Sequence, residues 1–155
     1  MLGKGGINMP EATEISRDLK PFKIGIVPCN GEEICAGSVT RFACRKVLDE
    51  LRKGKTVTIC LPLFIAGDKG EQQFASRFPT ITVDGCDKRC SAISTERLSG
   101  KPSYSIVVTD LLKDKGLALS ESPRVLSEAD KRAVDIIAEE IAGKVDDLLG
   151  EAGDA

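Results

Sequence analysis

The chain has no histidine and no tryptophan, and only one tyrosine and five phenylalanines among its 155 residues. Without an imidazole, no side chain titrates near neutrality at its ordinary pKa. Ser-His and Cys-His catalysis within the chain are therefore excluded, as is metal ligation through histidine. A surplus of basic charge is also missing. The 22 Lys and Arg residues are balanced by 24 Asp and Glu, for a net charge of −2, and no basic stripe is interleaved with aromatics. No nucleic-acid partner is expected from such a surface. Long apolar runs are absent as well: the longest are strand-sized, and residues 1–20 are Gly-rich and charged. Neither a signal peptide nor a membrane span is predicted, so a cytoplasmic address and no membrane partner follow.

What the chain does have is thiols. Six cysteines in a reducing compartment read as metal ligands, reactive groups or small core residues rather than as disulfides. The length suits one domain that buries about 68–70% of its unfolded surface, so a core forms without help from metal or cross-links. We expect residues 1–20 to be a flexible N-terminal arm, 21–150 to be a single domain, and 150–155 to be a frayed tail.

Within that domain, apolar runs alternate with helical patterns. Strands are predicted at 23–28, 56–61, 80–83 and 103–109, the second of them stopped by Pro62. A helix capped by Ser38 is predicted to run to Lys53, with Val39, Ala43, Val47 and Leu51 on one face. Loop and a short helix fill 64–78, and Asp87 caps a helix reaching Leu98. A long last helix starts at Ser127-Glu128-Ala129-Asp130, a capping-box pattern, and runs to Leu149 with an apolar stripe of Val134, Ile137, Ile141, Val145 and Leu148. This alternation predicts an α/β three-layer sandwich on a mainly parallel sheet of about four strands.

Cys29, Cys60 and Cys86 each follow a predicted strand, and Cys90 lies four residues beyond Cys86, on the same face of a first helical turn. Ends of neighbouring parallel strands lie about 4.8 Å apart. Tetrahedral zinc with bonds of about 2.3 Å needs sulfurs a little under 4 Å apart, within reach of such side chains. The positive end of the following helix and the basic Lys88 and Arg89 offset the negative charge of four thiolates on one divalent cation.

These residues carry a resemblance. Cys29-Asn30-Gly31, Cys60-Leu61, the central Asp84-Gly85-Cys86 with Cys90, and Val107-Val108-Thr109-Asp110-Leu111 resemble the DGC-domain family over about residues 23–116. The resemblance implies that the domain is of the DGC type and that Cys29, Cys60, Cys86 and Cys90 are zinc ligands. It implies no reaction.

The leading expectation is thus a zinc-binding protein whose metal orders loops that meet a protein or small-molecule partner, with no oligomeric state implied. Two alternatives are an enzyme of redox, sulfur or oxyanion transfer through Cys29 or Cys35, and an iron–sulfur protein with the same four ligands. Cys35 to Arg41 also has the C-x5-R spacing of phosphatase loops, but the nucleophile of such a loop directly follows a strand, and Cys35 lies six residues past Cys29. Cys44 falls on an apolar helix face and reads as core. Asp84 and Asp110 close two strands, as an acid/base pair or as turn and capping residues.

Overall fold

The computed structural model describes residues 23–153; the expected arm at 1–20 lies outside them, as do the last two residues. The order of elements is β1 (Ile24–Pro28), α1 (Cys35–Lys46), β2 (Thr56–Thr58), α2 (Leu61–Ile65), α3 (Phe74–Arg77), β3 (Thr80–Asp84), α4 (Cys90–Leu98), β4 (Tyr104–Val107), α5 (Val108–Asp114) and α6 (Glu128–Gly153). The four strands form one wholly parallel sheet in the order β2-β1-β3-β4.

The central strands β1 and β3 are buried along their whole length, as expected when helices cover both faces. Ile24, Ile26, Ile81 and Val83 point to one face, against Val39, Ala43 and Val47 of the first helical segment, Leu112 of α5 and Ile137, Ile141 and Val145 of α6. The opposite face is smaller. Val27 packs there with Leu61, Phe64 and Phe74, and α4 docks beside them on the end of β3 through Asp84. No helix of the described residues is long and apolar enough to cross a membrane.

Several element boundaries differ from the sequence expectations, each for a tertiary reason. α1 begins at Cys35, three residues before Ser38, and the buried Ser38 hydroxyl donates to the Pro123 carbonyl instead of capping. The helix then widens into a π turn at Val47–Leu51, where the Arg52 N–H donates to the Val47 carbonyl at 2.8 Å. β2 ends at Thr58. Leu61, expected as strand, opens α2, and Pro62 sits in that helix's first turn, where its missing N–H costs nothing. β4 ends at Val107 because Val108 and Leu112 bury together as the first apolar pair of α5. α6 starts where the capping box places it: Ser127 N–H donates to Asp130 Oδ2 at 2.8 Å, and Asp130 N–H to Ser127 Oγ at 3.2 Å. It continues to Gly153, through part of the expected tail.

Candidate metal centre

The strand order fixes where a site can form. From β1 the chain crosses over α1 to β2 on one side of the sheet, whereas from β3 it crosses over α4, on the other face, to β4 on the opposite side. The loops leaving the carboxyl ends of β1 and β3 therefore diverge, and a crevice opens between them.

Both loops are built around close backbone contacts. After β1 come Cys29, Asn30 and Gly31, with Asn30 in the left-handed region at φ 52°. The loop folds back so tightly that a Cβ on Gly37, in the first turn of α1, would overlap the Gly31 carbonyl. After β3, a Cβ on Gly85 would lie 2.8 Å from the Gly37 nitrogen. Backbone thus rests on backbone through Gly31, Gly37 and Gly85. From this stack the Gly85 N–H donates to Cys29 Sγ at 3.3 Å.

The end of β3 is organised by Asp84, a buried carboxylate that accepts from the N–H groups of Ser91 (2.7 Å) and Ala92 (3.1 Å). Asp84, rather than the exposed Asp87, caps α4. The intervening residues form a turn closed by the Arg89 N–H on the Cys86 carbonyl at 3.2 Å, and Arg89 itself is left-handed at φ 51°. Cys86 therefore lies in the turn and Cys90 opens the helix, so the two do not share a helical turn. The first-turn amides at Ser91 and Ala92 are already taken by Asp84. Asn30 and Arg89 are the two non-glycine residues with positive φ among the described residues, and each adjoins a cysteine of the crevice. Such strain, of order 1–2 kcal/mol for a residue like arginine, persists where surrounding structure imposes it.

The crevice is a cavity of about 440 Å³ lined by the thiols Cys29, Cys86 and Cys90, the cationic Lys88 and Arg89, and Ile34. Cys29 and Cys86 are half-buried and Cys90 is exposed. Cys60 stands outside this lining. It is exposed at the residue preceding α2, beyond the edge strand β2, one strand further from β3 than Cys29. Among the described residues no three Cys, Asp or Glu side chains converge on a point that would hold an ion as they stand.

The donor set fits a thiophilic divalent ion in kind. All six cysteines are free, three of them line one cavity, and the Gly85 N–H that donates to Cys29 Sγ would support a thiolate there. Burial pushes the Cys29 thiol up, while backbone N–H groups of Gly31 and Gly85 pull it back only in part.

The remaining candidates fall elsewhere. Cys35 is the buried first residue of α1, 3.7 Å from the Ser120 hydroxyl; burial pushes its thiol up, the Ser120 bond opposes this, and the charge of Asp130 adds to it. Arg41 is exposed and pairs with Glu32, so the C-x5-R stretch does not aim its arginine at Cys35. Cys44 is fully buried in the main core and its pKa is strongly raised by burial. Asp110 is an exposed first-turn residue of α5, and Asp84 is a helix cap, so the two do not form an acid/base pair.

One polar cluster was not foreseen. Buried Asp130 accepts from the N–H and Oγ of both Ser120 (2.9 and 2.6 Å) and Ser127 (2.8 and 2.7 Å). Burial opposes its charge, but these bonds prevail and hold the carboxyl well below its usual range. The Ser127 half was legible as a capping box. The Ser120 half had no local signal.

Compared with known proteins, the family model of the DGC domain matches residues 25–141. No curated protein and no solved structure gives a significant match to the chain.

Proposed function

The chain belongs to the DGC-domain family, and from that premise we propose that it is a zinc-binding protein of the cytoplasm whose strand-edge thiolates hold one metal ion. Cys29, Cys86 and Cys90 supply sulfur from the walls of one cavity, and Cys60 supplies the fourth from the neighbouring strand end. The observation that carries this reading is that three cysteines, from the loops after β1 and β3, line one cavity where the two crossovers diverge. When bound, zinc supplies a closed or Lewis-acidic thiolate centre. The chain's own residues fix the loops: the glycine stack sets their spacing, Asp84 anchors the turn between Cys86 and Cys90, and Gly85 donates to Cys29. Ordered in this way, the loops present a surface to a protein or small-molecule partner.

A thiol-based enzyme is the less favoured reading, because burial raises the pKa of both Cys29 and Cys35, opposite to what a nucleophilic thiol needs. Elemental analysis and an absorption spectrum of protein purified without oxygen test the proposal, with each cysteine changed to serine in turn. One equivalent of zinc in colourless protein, lost on Cys29→Ser, Cys86→Ser or Cys90→Ser and kept on Cys44→Ser, is the expected result. A brown chromophore would assign an iron–sulfur cluster to the same thiols. Metal-free protein would refute the reading.

A further inference from the structure

The backbone between Cys86 and Cys90 turns the chain back on itself. The Arg89 N–H on the Cys86 carbonyl closes a turn, and φ is not positive at Asp87 or Lys88, because Asn30 and Arg89 are the non-glycine residues of positive φ among the described residues. Turns of types II, I′ and II′ need a positive φ at one or both of those central positions, so this turn is of type I. Its last residue, Arg89, is left-handed at φ 51° and ψ 44°. A type I turn followed by a left-handed residue builds the three-residue hairpin loop, which sets the residues flanking it opposite each other. Here those residues are Cys86 and Cys90. Opposed residues of this kind have Cα atoms about 4.5–5.5 Å apart, inside the roughly 4.4–6.8 Å that a disulfide spans. The Arg89 guanidinium is held on the Ser105 hydroxyl at 3.2 Å, so its part in the reversal is played by its backbone.

The reversal is pinned from both ends. Asp84, two residues before Cys86, accepts from the amides of Ser91 and Ala92, which follow Cys90, so the segment cannot open without freeing a buried carboxylate. Both thiols are free and line the cavity of about 440 Å³, which falls in the range of roughly 300–1,000 Å³ common to small-molecule pockets. Their accessibility differs. Cys90 is exposed and Cys86 half-buried. The third thiol of the cavity, Cys29, comes from the other loop, and its sulfur already accepts from the Gly85 N–H at 3.3 Å.

We propose a further activity, independent of the zinc reading: Cys86 and Cys90 form a redox-active dithiol that undergoes exchange with low-molecular-weight disulfides. Cys90, the exposed thiol, attacks first. As its thiolate, it bonds to one sulfur of the small disulfide, whose S–S bond breaks and whose other half leaves as a thiolate and takes up a proton. Cys86 then attacks the Cys90 sulfur of the mixed disulfide, and the second half leaves in the same way. The two protein thiols are oxidised to one disulfide, the small disulfide is reduced to two thiols, and the protons lost by the protein are those the leaving thiols gain. A small thiol as reductant runs the sequence backwards. Neither Cys29 nor Cys35, the thiols that burial disfavours as nucleophiles, takes part. Metal and disulfide would draw on the same sulfurs, so the reaction belongs to the metal-free chain.

The test treats the reduced full chain, in the presence of a chelator, with bis(2-hydroxyethyl) disulfide, traps remaining thiols by alkylation, and reads the products by intact mass and peptide mapping. The expected first stable product is a chain lighter by two hydrogens and linked from Cys86 to Cys90, with 2-mercaptoethanol released. Cys86→Ser should stop at the mixed disulfide on Cys90, and Cys90→Ser should react at least about tenfold more slowly, because the thiol that remains is half-buried. Cys29→Ser and Cys44→Ser should behave as wild type. Arg89→Gly keeps the left-handed turn and should close the disulfide at the wild-type rate, whereas Arg89→Val, β-branched and ill suited to positive φ, should close it at least about tenfold more slowly. A first linkage that includes Cys29, or a wild type that halts at a stable adduct on Cys90, would overturn the proposal. Equal closure rates in the Arg89→Gly and Arg89→Val chains would overturn it as well, since the turn would then not be what joins the pair. Zinc content of the reduced protein decides the earlier reading separately.

Discussion

Replacing Asp84 tests whether the loop after β3 is held as described. Asp84 is 1% exposed, and the two donors to its carboxylate, the N–H groups of Ser91 and Ala92, belong to residues 0% and 4% exposed. In Asp84→Ala both amides lose their partner in a place water reaches poorly. An orphaned buried polar group costs about 1–3 kcal/mol and loss of a helix cap about 1 kcal/mol. The two estimates overlap, so about 2–4 kcal/mol is expected in total. For a chain of this size each kcal/mol moves Tm by about 2–4 °C, giving a fall of roughly 5–15 °C. Asp84→Asn keeps one carbonyl acceptor but turns an amide donor toward a second N–H, so it should lose about half as much. Thermal and urea unfolding of the metal-free protein measure the cost apart from any effect of zinc. An Asp84→Ala protein within about 0.5 kcal/mol of wild type would refute the assignment of Asp84 as the cap of α4.

Three further outcomes follow from the same geometry. Because the Asp130 pKa is depressed in the folded state, its contribution is fully present above the unfolded value of about 3.9 and is lost as pH falls below it. Wild-type stability should therefore decline more steeply between about pH 5 and pH 2 than that of Asp130→Asn, and parallel urea-midpoint curves would contradict this. Gly37→Ala forces a methyl group against the Gly31 carbonyl; it should displace the Cys29 loop and lower zinc affinity more than tenfold while costing about 1–3 kcal/mol, and unchanged metal affinity would dismiss the glycine stack as a constraint. Chelating zinc should lower hydrogen-exchange protection at about 29–37, 60–70 and 84–91, while β1, β3 and α6 stay protected by their buried faces; uniform loss across 24–28 and 134–148 would mean that the metal holds the whole fold.

The sequence made the buried framework legible where signals were local. β1 and β3 are apolar runs bounded by turns, and α6 announces itself by Ser127 and Asp130 in a capping box. Local reasoning failed where a side chain is claimed by something distant. Ser38 serves Pro123, 85 residues away, instead of the nearest helix end. α4 is capped by Asp84, seven residues before Ser91, across a turn that contains a left-handed arginine no pattern predicts. Leu61 reads as the end of a strand because its burial against Val27 and Phe74 depends on the second face of the sheet. The candidate site shows the same division. Strand-end reasoning finds Cys29 and Cys86, but it says nothing of strand order, and the order β2-β1-β3-β4 sets Cys60 one strand away from the crevice.

That strand order also bears on when the site comes into being as the chain folds. The sheet has no hairpin, so every strand pair must close a crossover before its hydrogen bonds form, a topology that folds slowly. The pairing of β1 with β3 closes the longest of these loops; the Gly85 N–H and Cys29 Sγ that meet across the crevice are 56 residues apart in sequence. The entropic penalty grows only with the logarithm of that separation, but it is met before Cys29 faces Cys86 and Cys90 at all. The thiols are thus gathered by a sheet whose central pair is already formed. On the proposed zinc reading, metal binding follows this pairing and does not nucleate the chain.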